Sequence, residues 1–397
     1  MYDYCGDESM EKRIMQVLAN ETGGKSYKAH KYGLDHAERP HLDYNEDSII
    51  WEKSAETDPK RTYISLEKQS RDIALREDQL LTYFLDGSRR VYKVDDHSYT
   101  MSGGRNVIFP IIAGQIGVGC CKRMNKIVSP ECFTREIVIS VPDIANADGK
   151  SGFFDAMAIK LSRLPVVQRM GFKINAVIPY DTSKNNSDKY EDRGTARIQD
   201  RMIQAEKDMV AELAKSNIVN YKNYLIKDGS LEYRPTKEIL KDSRKSQLFK
   251  NNYNWVLGVS KNFNPEVCMD VNGKPNPGFI ADLPLYHRTP VACYLKPELF
   301  GDIEFAVWYI RLRDKTRTRT AFDGIVKVEK MLVTQDENKY GIESDLVDML
   351  SAMIINERNP VCYGSDLRWA NHLYPVYLTE TYVKSKYMSA ESFLHLF

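Results

Sequence analysis

The sequence lacks the features of a secreted, zinc-binding or membrane-spanning protein. Its seven cysteines are scattered, their number is odd, and no two have the C-x-x-C spacing of a zinc or redox site. The N-terminus has neither the basic segment nor the apolar segment of a signal peptide. No run of about 18 apolar residues could cross a bilayer. We therefore expect a protein of the reducing cytoplasm with no membrane contact.

An excess of either charge is also missing. Lys and Arg number 56 against 55 Asp and Glu, so the net charge is only +1. This balance excludes the strongly basic class of nucleic-acid binders, and any contact with a polyanion must come from a local patch. With 397 residues and a 42% hydrophobic content, the chain can bury a sizeable core.

The order of β-prone and helix-prone stretches predicts an α/β fold with a mixed sheet flanked by helices. Residues 1–79 are polar and charged and predict an N-terminal arm, which could dock on a partner, while 80–397 form the main domain. The predicted strands of this domain include 80–86, 89–93, 106–121, 135–141, 221–226 and 255–260. The glycines within 106–121 indicate a buried strand that other backbone segments approach closely.

A short phrase occurs twice in the chain. Residues 83–88 read Tyr-Phe-Leu-Asp-Gly-Ser, and residues 225–230 read Leu-Ile-Lys-Asp-Gly-Ser. In each, a β-prone run precedes turn residues, which predicts a strand that ends at a carboxylate. If the two strands are neighbours, Asp86 and Asp228 converge, and carboxylates are the ligands that Mg²⁺ and Mn²⁺ prefer. The alternative is that each Asp-Gly-Ser is an ordinary structural turn.

A third carboxylate is expected from the predicted helix over 196–215. Its apolar stripe centres near Met202, Met209 and Leu213. Glu206 lies about 40° from that centre and Glu212 about 80°, so Glu206 is the first choice for a third ligand and Glu212 the second. A carboxylate near a core-facing stripe is costly unless it is paired or bound to metal. Either Glu could instead be a solvated flank of the helix.

Two aspartates and a helix glutamate form the usual carboxylate set of a two-metal nuclease. A local basic patch would suit the same chemistry. If residues 311–319 are extended, the two-residue period of a strand puts five cations on one face, where they could follow a phosphate backbone. These residues are Arg311, Arg313, Lys315, Arg317 and Arg319. The alternative is a solvated edge hairpin.

Five segments in order resemble the NurA nucleases, over roughly residues 80–390. They are the first Asp-Gly-Ser-Arg, the Leu-Ile-Lys-Asp-Gly-Ser-Leu segment, Val-Leu-Gly-Val-Ser-Lys at 256–261, Trp-Tyr-Ile-Arg-Leu at 308–312 and Leu-Tyr-Pro-Val-Tyr-Leu-Thr-Glu at 373–380. No single segment is specific for the family, but the occurrence of all five in the same order makes the resemblance specific.

The resemblance implies an RNase H-like core that cleaves DNA with Mn²⁺ or Mg²⁺. It also implies a homodimer that works with a hexameric HerA ATPase in DNA end processing or anti-phage defence. By position, Asp86 and Asp228 match the family's two catalytic aspartates. Many members carry a histidine after Tyr-Pro in the last helix, and Tyr382 stands at that position here. Glu380, two residues earlier, is the expected substitute as fourth ligand.

Two other functions are compatible with the sequence. The first is a non-catalytic RNase H-like subunit that docks on the translocase and guides DNA, which the missing histidine and the neutral net charge favour. The second is an Argonaute-type domain that binds guide strands, but no guide-binding module is recognisable in the sequence. Cleavage assays separate the first alternative from a nuclease, and co-purified nucleic acid would indicate the second.

Overall fold

One mixed β-sheet organises the residues that the computed structural model describes, with helices on both faces. The described residues are 14–27, 31–34, 51–58, 64–76, 79–101, 103–183, 188–231, 239, 241–264, 277–295, 303–360 and 369–397. The strands are β1 (Lys25–Tyr27), β2 (Tyr32–Gly33), β3 (Trp51–Ser54), β4 (Ile64–Ser65), β5 (Leu81–Thr100), β6 (Asn106–Met124), β7 (Ile127–Pro142), β8 (Ala176–Tyr180), β9 (Tyr224–Asp228), β10 (Val256–Ser260), β11 (His287–Arg288), β12 (Ala292–Leu295), β13 (Glu304–Arg311) and β14 (Ile325–Met331).

The main path of the sheet has the order β3-β12-β13-β14-β10-β9-β5-β6-β7-β8. Strands β5, β6 and β7 form a long antiparallel meander. On its other edge β5 pairs in parallel with β9, and β9 pairs in parallel with β10. The carboxyl ends of β9 and β10 therefore open beside the middle of β5. The expected mixed α/β architecture is confirmed.

Strand β5 does not end at Asp86, which corrects the prediction from the sequence. It continues through Gly87 and Ser88 to Thr100, so one strand of 20 residues replaces the two predicted at 80–86 and 89–93. The reason is tertiary, because β6 pairs with Gly87 and Ser88 and satisfies their backbone groups. Asp228 does end its strand as predicted, and the following Gly229 has a positive φ of 82°.

Eleven helices lie within the described residues, in addition to short 3₁₀ turns. They are α1 (Ile14–Glu21), α2 (Glu67–Ala74), α3 (Phe153–Ser162), α4 (Pro165–Arg169), α5 (Tyr190–Lys215), α6 (Ser243–Asn252), α7 (Pro277–Ala281), α8 (Gln335–Tyr340), α9 (Ser344–Asn356), α10 (Tyr374–Ser385) and α11 (Ala390–Leu394). None of them is both long enough and apolar enough to traverse a lipid bilayer.

The two faces of the sheet carry different helices. Tyr83 and Leu85 of β5 share a buried cluster with Met209 of α5. Phe84, between them, belongs to a second cluster with Leu350 of α9 and Val376 of α10. Because side chains alternate along a strand, odd-numbered residues in this part of β5 face α5 and even-numbered residues face α10.

The described parts of the predicted arm add to the same sheet. Strands β1 and β2 pair with β5, β3 pairs with β12, and β4 pairs with β11. Helix α1 packs its buried face into a cluster that includes Tyr92 and Phe109. The remainder of residues 1–79 lies outside the described residues, and a role of the arm in docking stays a prediction.

Glycines in β6 allow α10 to lie directly on the sheet. A Cβ atom on Gly119 would lie 2.6 Å from Cγ2 of Val383, and one on Gly117 would lie 2.8 Å from Cγ1 of the same valine. Atoms cannot approach that closely, so a larger residue at either position forces α10 outwards. This close packing sets the position of every side chain that α10 presents to the sheet.

We expect Gly119→Ala to lower the free energy of unfolding by about 1–3 kcal/mol, because the added methyl group displaces Val383. Urea denaturation followed by circular dichroism measures the change. Gly33→Ala is the matched control, since its Cβ would meet no atom closer than 3.8 Å. Equal stabilities of the two variants would contradict this account of the packing.

Candidate active site

A cleft of about 1190 Å³ opens where β9 ends beside β5, and its charged lining residues include four from different parts of the fold that interact with one another. Asp86 comes from the middle of β5, Asp228 from the last position of β9, Lys261 from the residue after β10, and Glu380 from α10. The topology therefore brings together three of the carboxylates that the sequence singled out.

Asp86 is the buried member of the group, with 6% of its surface exposed. Its side chain faces α10, because it is paired with Gly119, over which Val383 lies. The absence of a side chain at Gly119 thus lets α10 carry Glu380 to the same side of the sheet as Asp86. The parallel register of β9 with β5 brings Asp228 alongside.

Lysines hold two of these carboxylates. Lys261 Nζ lies 2.9 Å from Oδ2 of Asp228, and Lys384 Nζ lies 2.7 Å from Oε1 of Glu380, one helical turn away. Lys261 is itself buried and interacts electrostatically with Asp228, Glu380 and Asp86. A single ammonium group is thus shared among three carboxylates.

The shared ammonium group does not compensate Asp86 fully. Burial raises the pKa of Asp86 well above its usual range, the charges of Asp228 and Glu380 raise it further, and Lys261 opposes them. Burial would lower the pKa of Lys261, but the surrounding carboxylates raise it above that of an ordinary lysine. The charges that act on Asp86 are therefore mainly negative, which favours the binding of a further cation beside it.

Glu206 occupies the opposite face of the sheet. It is 4% exposed, and its Oε2 lies 3.1 Å from Nζ of Lys227. Its carboxylate rests on the backbone of Gly87, where a Cβ atom would lie 2.2 Å from Oε1. The predicted burial of Glu206 on the core-facing stripe agrees with the structure, whereas Glu212 is exposed. Glu206 adjoins Asp86 across the strand, and a smaller cleft of about 430 Å³ at the end of β9 is lined by Glu206 together with Asp86, Asp228 and Lys261.

The carboxylates around Lys261 meet some requirements of a divalent-metal site and not others. Carboxylate oxygens are the hard donors that Mg²⁺ and Mn²⁺ prefer, and the excess negative charge around Asp86 favours a cation. Yet no three His, Cys, Asp or Glu side chains among the described residues are arranged as a metal site. Ion pairs hold Asp228 and Glu206 to lysines, so a metal would require these lysines to give way.

The structure also places the two residues considered for the fourth position. Tyr382 packs edge-on against Phe133, with ring centroids 5.7 Å apart. Glu380 lines the cleft and acts electrostatically on Asp86 and Lys261. Burial opposes ionisation of Glu380, but Lys261 and Lys384 bring its pKa below the usual value, so it carries a negative charge.

Lys261 is the site residue that sequence reasoning missed. Its signal was present, because it directly follows a predicted strand, as does the turn that carries Asp228. Adjacent parallel strands end at the same edge of a sheet, so a charged residue after either strand enters the same cleft. The parallel pairing of β9 and β10 could not be read from local sequence.

The basic ridge predicted over 311–319 is not formed. Arg311 ends β13, is fully buried and donates hydrogen bonds of 2.9 Å to the carbonyls of Ala281 and Ala321. Beyond it the chain turns into a 3₁₀ turn at Lys315–Arg317, so the alternation of a strand stops. Lys315 pairs with Asp282 at 2.9 Å, and Arg317 and Arg319 are exposed. The five cations do not share one face.

Comparisons with known proteins add a structural similarity at low sequence identity. No protein-family model and no curated protein matches the sequence. Among solved structures, the fold is similar to the crystal structure of the NurA nuclease from Sulfolobus solfataricus, with a TM-score of 0.38 and 12% sequence identity. The match covers 83% of this chain and 92% of the other.

We expect Asp86→Asn to raise the free energy of unfolding near neutral pH. The folded-state pKa of Asp86 lies above its unfolded value, so this carboxyl destabilises the fold increasingly as the pH rises through that interval. The neutral amide of the variant avoids the cost of a buried charge, so the variant gains stability. This gain should vanish below about pH 4, where Asp86 is protonated in the unfolded wild-type chain as well.

Urea denaturation at both pH values measures this effect. Asp148→Asn is the control, since Asp148 is exposed and pairs only with the exposed Lys150. A loss of stability for Asp86→Asn at neutral pH would mean that Lys261 compensates Asp86 completely.

Proposed function

We propose that this chain is a Mn²⁺- or Mg²⁺-dependent deoxyribonuclease. The observation that supports this most is the convergence of Asp86, Asp228 and Glu380 in one open cleft, with Asp86 buried and under-compensated. Stability alone does not favour such a cluster, and strongly perturbed carboxyl groups in a cleft are typical of catalytic sites.

The connectivity of the sheet supports an RNase H-like core. A meander of three antiparallel strands, β5 to β7, is followed by α3, α4 and β8, then by helix α5, and then by β9, which pairs in parallel with the first strand of the meander. Strand β10 extends the parallel part. The order β7-β6-β5-β9-β10 is the order that such a core requires, with the carboxylates on the first and fourth of its strands.

Asp86, Asp228 and Glu380 would hold the metal, and Glu206 would support Asp86 from the other face. A bound divalent cation would supply an activated water and stabilise the charge of the attacked phosphodiester. Lys261 lies between the carboxylates and would reduce the repulsion among them when no cation is bound. When the carboxylates hold a cation, its ammonium group would turn to a phosphate oxygen. Because Asp86 has a raised pKa, binding of a cation would release its proton.

In this proposal the protein acts as a homodimer with a hexameric HerA-type ATPase. The pathway would be DNA end processing or anti-phage defence. The support is the order of the five sequence segments that resemble NurA nucleases.

A second function has a specific observation in its favour. Three carboxylates of the set are already paired with lysines, through Lys261–Asp228, Lys227–Glu206 and Lys384–Glu380. In a non-catalytic RNase H-like subunit, these lysines would be permanent replacements for metal. Such a subunit would close the translocase ring or guide DNA without cutting it.

We expect Asp86→Asn and Asp228→Asn each to reduce DNA cleavage with Mn²⁺ by about 100-fold or more. Each variant replaces a carboxylate that would hold the metal by a neutral amide. The assay uses wild type and variants, with and without the ATPase. Glu206→Gln should also lower cleavage, whereas Glu212→Gln, on the exposed side of α5, should retain it. Full activity in both aspartate variants would exclude this site.

Mn²⁺ should also stabilise the wild-type protein, by about 2.7 kcal/mol at a hundredfold excess over its Kd, because it binds only the folded site. Asp86→Asn should abolish most of this gain. Thermal unfolding with and without Mn²⁺ measures both. If the metal changes neither stability nor cleavage, even with the ATPase present, the non-catalytic subunit is the correct function.

A further inference from the structure

A second cleft, of about 570 Å³, lies outside the carboxylate site and is lined by three arginines. Arg313 and Arg317 come from the segment after β13, where the sequence had predicted a basic ridge. Arg358 comes from the segment after α9. Tyr286 lines the same cleft, and Asp314 is the acidic side chain among its lining residues.

Two of the guanidinium groups are held in place by aromatic rings and backbone carbonyls. Arg313 lies over the ring of Trp369, 5.3 Å from its centroid, and donates to the carbonyl of Asn359. Arg358 lies over the ring of Tyr286 at 5.1 Å and donates to the carbonyl of Ile355 at 2.7 Å. A stacked guanidinium keeps a fixed plane and presents its remaining N–H groups as a rigid fork.

The positive charge of this cleft exceeds the negative charge by two, since three arginines face one aspartate. The Asp314 carboxylate is already engaged, because its Oδ1 accepts hydrogen bonds from the backbone N and the hydroxyl of Thr316, at 2.9 and 2.7 Å. Within the described part of the chain, neither Arg317 nor Arg358 has an ion-pair partner.

The backbone at Tyr286 is strained in a way that serves this arrangement. Its φ is +55°, a left-handed value that a tyrosine rarely adopts. The strain is held by two hydrogen bonds, from its N–H to the carbonyl of Arg311 at 3.0 Å and from the N–H of Leu66 to its own carbonyl at 2.8 Å. Strain that the surroundings enforce is common at ligand sites, and here it accompanies a ring placed under Arg358.

We propose that this cleft binds a phosphate group, from a nucleic-acid strand or from a free nucleotide. Guanidinium forks match phosphate oxygens in pairs, and three of them from two separate segments converge here. Tyr286 offers an aromatic surface beside them. One short segment links the cleft to the candidate active site. Two residues after Trp369, the Asn371 side chain bonds to the N–H of Gly324 and to the carbonyl of Lys261, at 2.6 and 2.9 Å.

The proposal does not rest on the proposed nuclease activity, because binding is measured without metal. The full chain in EDTA is titrated into a fluorescein-labelled single-stranded oligonucleotide, with anisotropy as the readout, and separately with ATP by calorimetry. We expect Arg317→Ala and Arg358→Met each to weaken binding about tenfold. For the oligonucleotide, each should also reduce the slope of log K against log salt by about 0.7.

Arg319→Ala is the matched control, since Arg319 is an exposed cation of the same segment that does not line the cleft. It should change binding by no more than about twofold. Losses seen with the oligonucleotide alone assign the site to a nucleic-acid strand, and losses seen with ATP assign it to a free nucleotide. The proposal is overturned if wild type binds neither probe, or if Arg319→Ala weakens binding as much as Arg317→Ala and Arg358→Met.

Discussion

Strand β5 is paired with β6 at Asp86 and with β9 as far as Leu85, the residue before it, and this pairing constrains the whole site. β6 pairs with it on one side and the parallel β9 approaches on the other. The main chain cannot shift without breaking the ladder, so the Asp86 carboxylate stays buried beside Asp228 and Glu380 although both repel it. The backbone hydrogen bonds of the sheet therefore offset the cost of burying Asp86, whose charge Lys261 compensates only in part.

Glycines determine how closely the helices approach this strand. Gly119, opposite Asp86, lets α10 settle on the sheet and deliver Glu380. Gly87, the next residue after Asp86, lets the carboxylate of Glu206 lie against the backbone from the α5 side. The glycine of the repeated Asp-Gly-Ser phrase therefore has different roles in its two copies. Gly229 makes a turn, whereas Gly87 makes room for a side chain.

The sequence predicted the architecture and much of the carboxylate set, since hydrophobic period and helix faces are local properties. It located most strands of the meander, helix α5, the buried face of Glu206 and the strand that ends at Asp228. It was wrong where tertiary pairing overrides local preference, as at Asp86, where a turn sequence lies within a continuous strand. It was also wrong at residues 311–319, because no partner strand extends the alternation past Arg311. Lys261 was missed because its neighbours are set by parallel pairing.

The alternation of Asp86 with Gly87, and of Lys227 with Asp228, has a consequence for electrostatics. Two ionic clusters lie back to back, Glu206 with Lys227 on one side and Asp228 with Lys261 on the other. The peptide groups of β5 and β9 lie between them, both pairs line the cleft at the end of β9, and the charge of Glu206 acts on Asp86. Electrostatic interactions are only weakly screened across so thin a layer of protein. The helix α5 side therefore contributes to the electrostatic potential that a cation would meet on the opposite side.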